Sequence, residues 1–366
     1  MGGAAAGVVT EGSARSPKGW RPALCAMVLA GCAAEQAPLY PESAPPMVLA
    51  TPADTGGVDL RATYRATVCP RLPADSRPCG DVLLRLAGEG HAAALPDAAD
   101  LARRYRIGFV PGFLAECFDD YLRPFTDAER ELRANGFDVT YFQVSGRGTA
   151  AQDAQRLAER LAAAKADPRP LILFAHSKGL LDVLELVVSF PDEAKQIAAI
   201  VSVAGAANGS PLADSLAALY RRWVAGLPLP GCEAGDGNEI EELRRDVRID
   251  WWRRHRDRIT IPVFTLVAAP EPERISPAAR SLYRRLAEIE PRNDGRLIWY
   301  DQIVPGSGLL GYVNADHWGI ASAVSEAFPA LGFLVEDDVP RTALIAGAIE
   351  VVAATLATEP RAGGPQ

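Results

Sequence analysis

Short unbroken apolar runs alternate along this chain with segments whose apolar residues recur every three or four positions. The runs RIGFV (106–110), FDVTYFQV (137–144), LILF (171–174), IAAIVSVAGA (197–206), IPVFTLVAA (261–269) and RLIWYDQIV (296–304) read as strands. Unbroken apolar runs suit strands buried on both faces. The intervening patterns predict helices over 126–135, 151–164 and 277–289, and another from Gly179 onward, where Leu180, Leu181, Val183, Leu184, Leu186 and Val187 have helical spacing. Strands alternating with helices predict an α/β fold with a doubly wound, mostly parallel sheet. Upstream of this alternation, 58–68 and 81–87 look like further strands. At the C-terminus, RTALIAGAIEVVAATLA reads as a packed helix, too short and too interrupted by Glu350 to span a membrane.

Between the strands ending near 206 and beginning near 261 lies an insertion, 209–258, carrying Trp223, Trp251, Trp252 and many arginines. It reads as a helical cap. Two uses fit it equally, a helical excursion covering the sheet edge or a cap over a site at the strand C-termini, where loops carry function. Residues 58–360 then form one domain, with 33–57, rich in Pro and Ala, as a tether.

Length and composition permit this. The chain has 366 residues, 48% of them hydrophobic, ample for one large core, and no repeat period is evident. A formal net charge of −8 leaves no nucleic-acid footprint. The N-terminus changes the picture. Arg15, Lys18 and Arg21 precede the apolar 23–30, and the segment ends Leu29-Ala30-Gly31-Cys32. A basic stretch and a short apolar core make a secretory signal. Its L-A-G-C ending resembles the lipobox of bacterial lipoproteins, which implies a signal peptide over 1–32, lipidation at Cys32 and a membrane anchor. The implied location is the bacterial cell envelope, on the periplasmic face of an outer membrane. With Cys25 removed and Cys32 lipidated, Cys69, Cys79, Cys117 and Cys232 remain, an even number that permits disulfides in an exported protein. Cys69 and Cys79 flank a Pro-rich loop, which would leave Cys117 to Cys232; free buried thiols are the alternative. No cysteine spacing suits zinc.

The chemistry gathers at AHSKG (175–179), where a buried strand turns into a helix at Ser177. Such a corner needs small residues two before and two after the serine, here Ala175 and Gly179. This is the nucleophile-elbow pattern with Ala for the first Gly. A serine hydroxyl needs a base. Of the four histidines, His91 precedes the sheet, His176 neighbours Ser177 and should point away from it, and His255 lies in the charged insertion. His317, in the loop after the last strand, is left. For the acid, Glu271 and Glu273 follow the strand at 261–269, Asp301 sits in the last strand, Asp316 abuts His317, and Asp294 lies just before the last strand. Asp294 sits in an N-D-G turn.

The pieces IGFVPGF (107–113), AHSKG, GSPLAD (209–214), NDG (293–295) and NADHW (314–318) together resemble, in this order, a bacterial lipase or esterase of the α/β-hydrolase superfamily. The resemblance covers about 106–327. It implies Ser177, Asp294 and His317 as catalytic triad, with 23 residues separating the last two. It implies the backbone N–H groups of Lys178 and of Phe113, or Leu114 beside it, as oxyanion hole; by position along the chain, Glu273 and Asp301 stay open as alternative acids. The chain departs from the pattern at Pro111-Gly112, where His-Gly is usual, at Leu180, where a second Gly is usual, and at Lys178, often Met or Gln. The implied activity is exported serine ester hydrolysis on an ester or lipid substrate, without metal or cofactor. A polyester depolymerase or thioesterase would use the same residues. A catalytically silent envelope lipoprotein would keep only the fold.

Overall fold

The computed structural model describes residues 57–95, 100–118, 123–228 and 231–358. The expected signal peptide, Cys32 and most of the tether lie outside them. Seven strands form one sheet in the order β1-β7-β6-β5-β4-β2-β3. They are β1 (Leu83–Leu84), β2 (Arg106–Val110), β3 (Val139–Tyr141), β4 (Leu171–His176), β5 (Ile197–Val203), β6 (Val263–Ala268) and β7 (Gly308–Val313). Six run parallel; β1 alone is antiparallel, pairing with β7. The central strands β4 and β6 are buried at every position, as their unbroken apolar sequences require.

Eight helices of at least eight residues surround the sheet among the described residues: α1 (Arg61–Val68), α2 (Thr126–Ala134), α3 (Ala150–Ala163), α4 (Gly179–Ser189), α5 (Pro211–Trp223), α6 (Arg245–His255), α7 (Arg280–Ala287) and α8 (Arg341–Thr358). A capping box starts α3: Thr149 accepts from the Gln152 N–H, and the Gln152 side chain accepts from the Thr149 N–H. Two orphan donors of the first turn are satisfied in this way. Its apolar stripe of Ala154, Leu157, Ala158 and Leu161 packs with α4 into one core cluster.

Three expected strands are corrected. Residues 61–68 are the helix α1, and only 58–60 pair with the sheet, through Leu60 N–H to the Leu309 carbonyl (2.9 Å) and Leu309 N–H to the Val58 carbonyl (2.8 Å). The segment has apolar residues at every second position, which suits a strand. Leu60, Tyr64 and Val68 also stand four apart, and that stripe is what the fold buries, under α8. The Tyr64 hydroxyl donates to the Leu344 carbonyl (2.9 Å), and a Cβ on Gly347 would strike Val68. The expected strand 81–87 shrinks to Leu83–Leu84. The segment 296–304 is not the last strand either. Its residues 299–302 form a buried 3₁₀ turn, and β7 at 308–313 closes the parallel run. Gln302 holds the turn in place: its amide bonds both the N–H (2.7 Å) and the carbonyl (2.9 Å) of Ala268, as a neighbouring strand would.

The helix α8 is, by length and composition alone, long and apolar enough for a bilayer, yet 56% of it is buried within the fold. Burial against α1 and α2, rather than the interruption at Glu350, makes it a core helix; Glu350 pairs with Arg71 at its rim (2.5 Å). In the insertion, α6 plugs Trp251 and Trp252 into the core beside α4, with their ring N–H groups bonded to Glu185 (2.9 Å) and to the Ala207 carbonyl (2.8 Å). The end of α5 is held by Arg147, which donates to the carbonyls of Val224, Ala225 and Leu227.

Candidate active site

Ser177 stands at the corner between β4 and α4 with φ +55°, a left-handed conformation that costs a non-glycine residue about 1–3 kcal/mol. The surroundings over-determine it. Its N–H reaches the Val203 carbonyl, and its own carbonyl accepts from Leu180 and Ala206. An added Cβ on Gly179 would run into the carbonyl oxygens of Val110 and Pro111, and one on Gly112 would come within 2.6 Å of the Ser177 Cβ. The two small residues thus let the strand β2 loop and the elbow touch.

Ser177 Oγ lies 2.8 Å from His317 Nε2, and His317 Nδ1 lies 2.7 Å from Asp294 Oδ2. These groups come from three segments, the elbow, the N-D-G turn and the loop after β7, with Ser177 and His317 140 residues apart in sequence. Asp294 is fully buried and fixed by turn chemistry: Oδ1 accepts from the N–H groups of Arg296 (2.8 Å) and Leu297 (2.6 Å). Its Oδ2 also accepts from Gln302 (3.3 Å). A carboxylate with so many donors is held in one orientation. The Asn293 side chain accepts from Gly295 (3.0 Å), and the Ser210 hydroxyl of GSPLAD donates to the Arg296 carbonyl (2.6 Å), bracing the turn from the insertion side.

The other expected acids lie elsewhere. Asp301 pairs with Arg245 (3.3 Å), and burial pushes its carboxyl up to about 7. Glu271 is bonded to Asn314, and Glu273 is exposed. Asp316 caps the following turn, accepting from Gly319 (2.8 Å) and Ser276 (2.9 Å).

Lys178 and Phe113 carry backbone N–H groups with no acceptor among the described residues, while the Leu114 N–H is already given to the Gly146 carbonyl (2.7 Å). Lys178 N–H also sits at the positive end of the α4 dipole. Phe113 packs edge-on against Tyr220 of α5, ring centroids 5.7 Å apart, so the insertion touches this loop. Trp318, half exposed beside His317, lies under Arg296.

Three residues at the site escape sequence reasoning. His176 is buried, and its Nε2 donates to the His317 carbonyl (2.9 Å) while its ring lies 4.8 Å from the His317 ring. A carbonyl only accepts, so His176 carries its proton on Nε2. Burial, with the neighbouring His317, lowers its pKa to about 3 and keeps it neutral. Gln302 looked like a strand residue; only its two-way bond to Ala268 betrays its role. Asp153 is an ordinary helix residue by sequence, yet it is fully buried and bonded to Lys178 Nζ (3.0 Å).

The cysteines pair as Cys69–Cys79 and Cys117–Cys232. The second bridge ties the loop after β2 to the insertion. Among the described residues no three His, Cys, Asp or Glu side chains converge as a metal cluster. Chemically, a hydroxyl against an imidazole that is itself against a buried carboxylate can lose its proton as it attacks a carbonyl carbon.

No protein-family model matches the sequence, and no curated protein matches it. Among solved structures it resembles a metagenomic carboxyl esterase, MGS0156, with 33% identity, a TM-score of 0.77, and coverage of 84% of this chain and 96% of that one. The Bacillus licheniformis lipase BlEst2 in its propeptide form shares the fold at 17% identity and a TM-score of 0.52, over 74% of this chain and 53% of that one.

Proposed function

The chain belongs to the carboxyl esterases and lipases of the α/β-hydrolase fold, and on that premise we propose that it hydrolyses carboxylic esters through Ser177, His317 and Asp294. One observation carries the reading: the hydrogen-bonded row from Ser177 Oγ to His317 (2.8 Å) to Asp294 (2.7 Å).

Ser177 Oγ adds to the ester carbonyl carbon while His317 Nε2 takes its proton. The oxyanion is held by the N–H groups of Lys178 and Phe113, donors set in place beforehand and together worth several kcal/mol. Collapse expels the alcohol, which leaves with the proton from His317, and the acyl group stays on Ser177. Water then attacks the acyl-enzyme and gives its proton to His317, which passes it to Ser177 Oγ as the acid leaves. Asp294 holds the imidazole in the Nδ1–H tautomer and stabilises its cation. Labelling by a fluorophosphonate, lost in Ser177→Ala, tests the nucleophile; persistent labelling in that variant would sink the proposal. A panel of p-nitrophenyl esters of rising chain length, with a thioester and a polyester film beside it, sorts esterase and lipase from thioesterase and depolymerase.

We propose also that the protein is exported and lipidated at Cys32. Two disulfides among the described cysteines support an oxidising compartment, and L-A-G-C supports the anchor. Intact-mass analysis should find a diacylated Cys32 at the mature N-terminus. An unmodified Cys32 would show the motif to be accidental.

A further inference from the structure

We propose that Asp153 is a positioning residue that holds the two backbone donors of the oxyanion hole in register, with the Lys178 side chain as its link to the elbow. This rests on the reading above, in which the Lys178 and Phe113 N–H groups receive the oxyanion.

For a backbone donor, the side chain after the serine is free to vary, and an apolar one would pack without losing hydration. Lysine is costly there: its side chain is 1% exposed, and taking an ammonium out of water must be offset by partners. The partners are Asp182 Oδ1 (2.6 Å), one turn along α4, and Asp153 Oδ2 (3.0 Å) from the first turn of α3. Burial pulls the ammonium down, but these carboxylates outweigh it and hold it above its ordinary value. Burial, and then the Asp153 charge, push the Asp182 carboxyl up against the pull of Lys178.

Asp153 differs from Asp182 in what its second oxygen does. Asp153 Oδ1 accepts from the Ser145 N–H (2.8 Å), whereas Asp182 Oδ2 has no hydrogen-bond partner. Ser145 is joined to Gly146, and Gly146 grips the loop after β2: its carbonyl accepts from Leu114 (2.7 Å) and its N–H donates to Glu116 (3.0 Å). Leu114 has φ +63°, a conformation a leucine avoids unless held. The grip takes up the Leu114 N–H and leaves that of Phe113 free. A Cβ on Gly146 would come within 2.9 Å of the Leu114 Cα, so the approach is as close as backbone allows. One carboxylate therefore ties the elbow, through Lys178, to the loop that carries the other donor.

The test compares Asp153→Asn, Lys178→Met and Asp182→Asn in the full chain, with wild type first shown to react with a fluorophosphonate. Failure of wild type to react would overturn the serine reading itself. A wild type that reacts isolates the positioning question. Misplacing a donor without removing it should lower kcat about 10- to 100-fold in Asp153→Asn and Lys178→Met, with KM changed less than about 3-fold. Affinity for a trifluoromethyl ketone, whose adduct carries the oxyanion, should fall in parallel. Asp182→Asn, equally buried but without a link to the loop, should keep kcat within about 3-fold. Equal losses in Asp153→Asn and Asp182→Asn, or kcat and ketone affinity intact in folded Asp153→Asn, would refute the role. If both linking variants fail to fold, Glu116→Gln at the half-buried end of the grip decides. A smaller kcat loss of the same kind supports the role, and none overturns it.

Discussion

Two buried groups flank one elbow, and they put similar chemistry to opposite ends. On one side Asp294 faces His317; on the other Asp153 faces Lys178. Both carboxylates are fully buried, both accept backbone N–H groups, and both pair with a nitrogen base. The difference lies in the base and in what stands beyond it. His317 has a second nitrogen, turned to the hydroxyl of half-buried Ser177. An imidazole can take a proton on one nitrogen while the other stays bonded to the carboxylate, so a proton can move through this row. Lys178 ends between two carboxylates, with its charged form favoured. Its charge stays in place, and the same ingredients give a fixed strut. Burial of a charge pair is thus no sign of catalysis; the outlet for a proton is.

The largest test of this contrast is Ser177→Ala, which removes that outlet. It should cost about 10⁶-fold in kcat and leave the melting temperature little changed, since alanine keeps the Cβ and so the same strained corner. Esterase activity of purified protein reads it, and residual activity within about 100-fold would place the nucleophile elsewhere. Next is Asp294→Asn, which keeps the shape but favours the wrong imidazole tautomer; about 10⁴-fold should be lost. Asp301→Asn, which touches Arg245 rather than His317, should lose less than about 10-fold. The reverse ranking in steady-state rates would hand the role to Asp301. The smallest effect concerns acid stability. His176 is held neutral when folded, with a pKa of about 3 against an ordinary 6.5. A depressed pKa means that its contribution is complete above about pH 6.5 and is lost as pH falls toward 3. His176→Phe should therefore show a shallower loss of melting temperature between pH 7 and pH 4 than wild type. Parallel curves would mean that His176 is not a source of acid sensitivity.

Comparison of particular elements shows what could be read in advance. The strands β2, β4, β5 and β6 announce themselves because a strand buried on both faces must be apolar throughout. The last strand was hidden: β7 contains Gly308 and Gly311, which weaken its pattern, while the aromatic 296–304 mimics a strand and forms a turn. The helix α1 was hidden because its apolar residues satisfy both a two-residue and a four-residue period. That the His176 ring packs on that of His317 could not be read from its place beside Ser177. Asp153 gave no sign at all, since burial of a helix carboxylate depends on what the rest of the chain brings to it.

By itself, the sequence determined the alternation of strands and helices, the sharp corner at Ser177 and the N-D-G turn, because periodicity and turn chemistry act over a few residues. It narrowed the base to His317 by elimination among four histidines. Only the tertiary structure decided which carboxylate meets that histidine, that the cysteines pair 69 with 79 and 117 with 232, and that Lys178 is buried on Asp153. Those are contacts between residues 10 to 115 positions apart. They follow from how whole elements pack, and no local window of sequence carries that geometry.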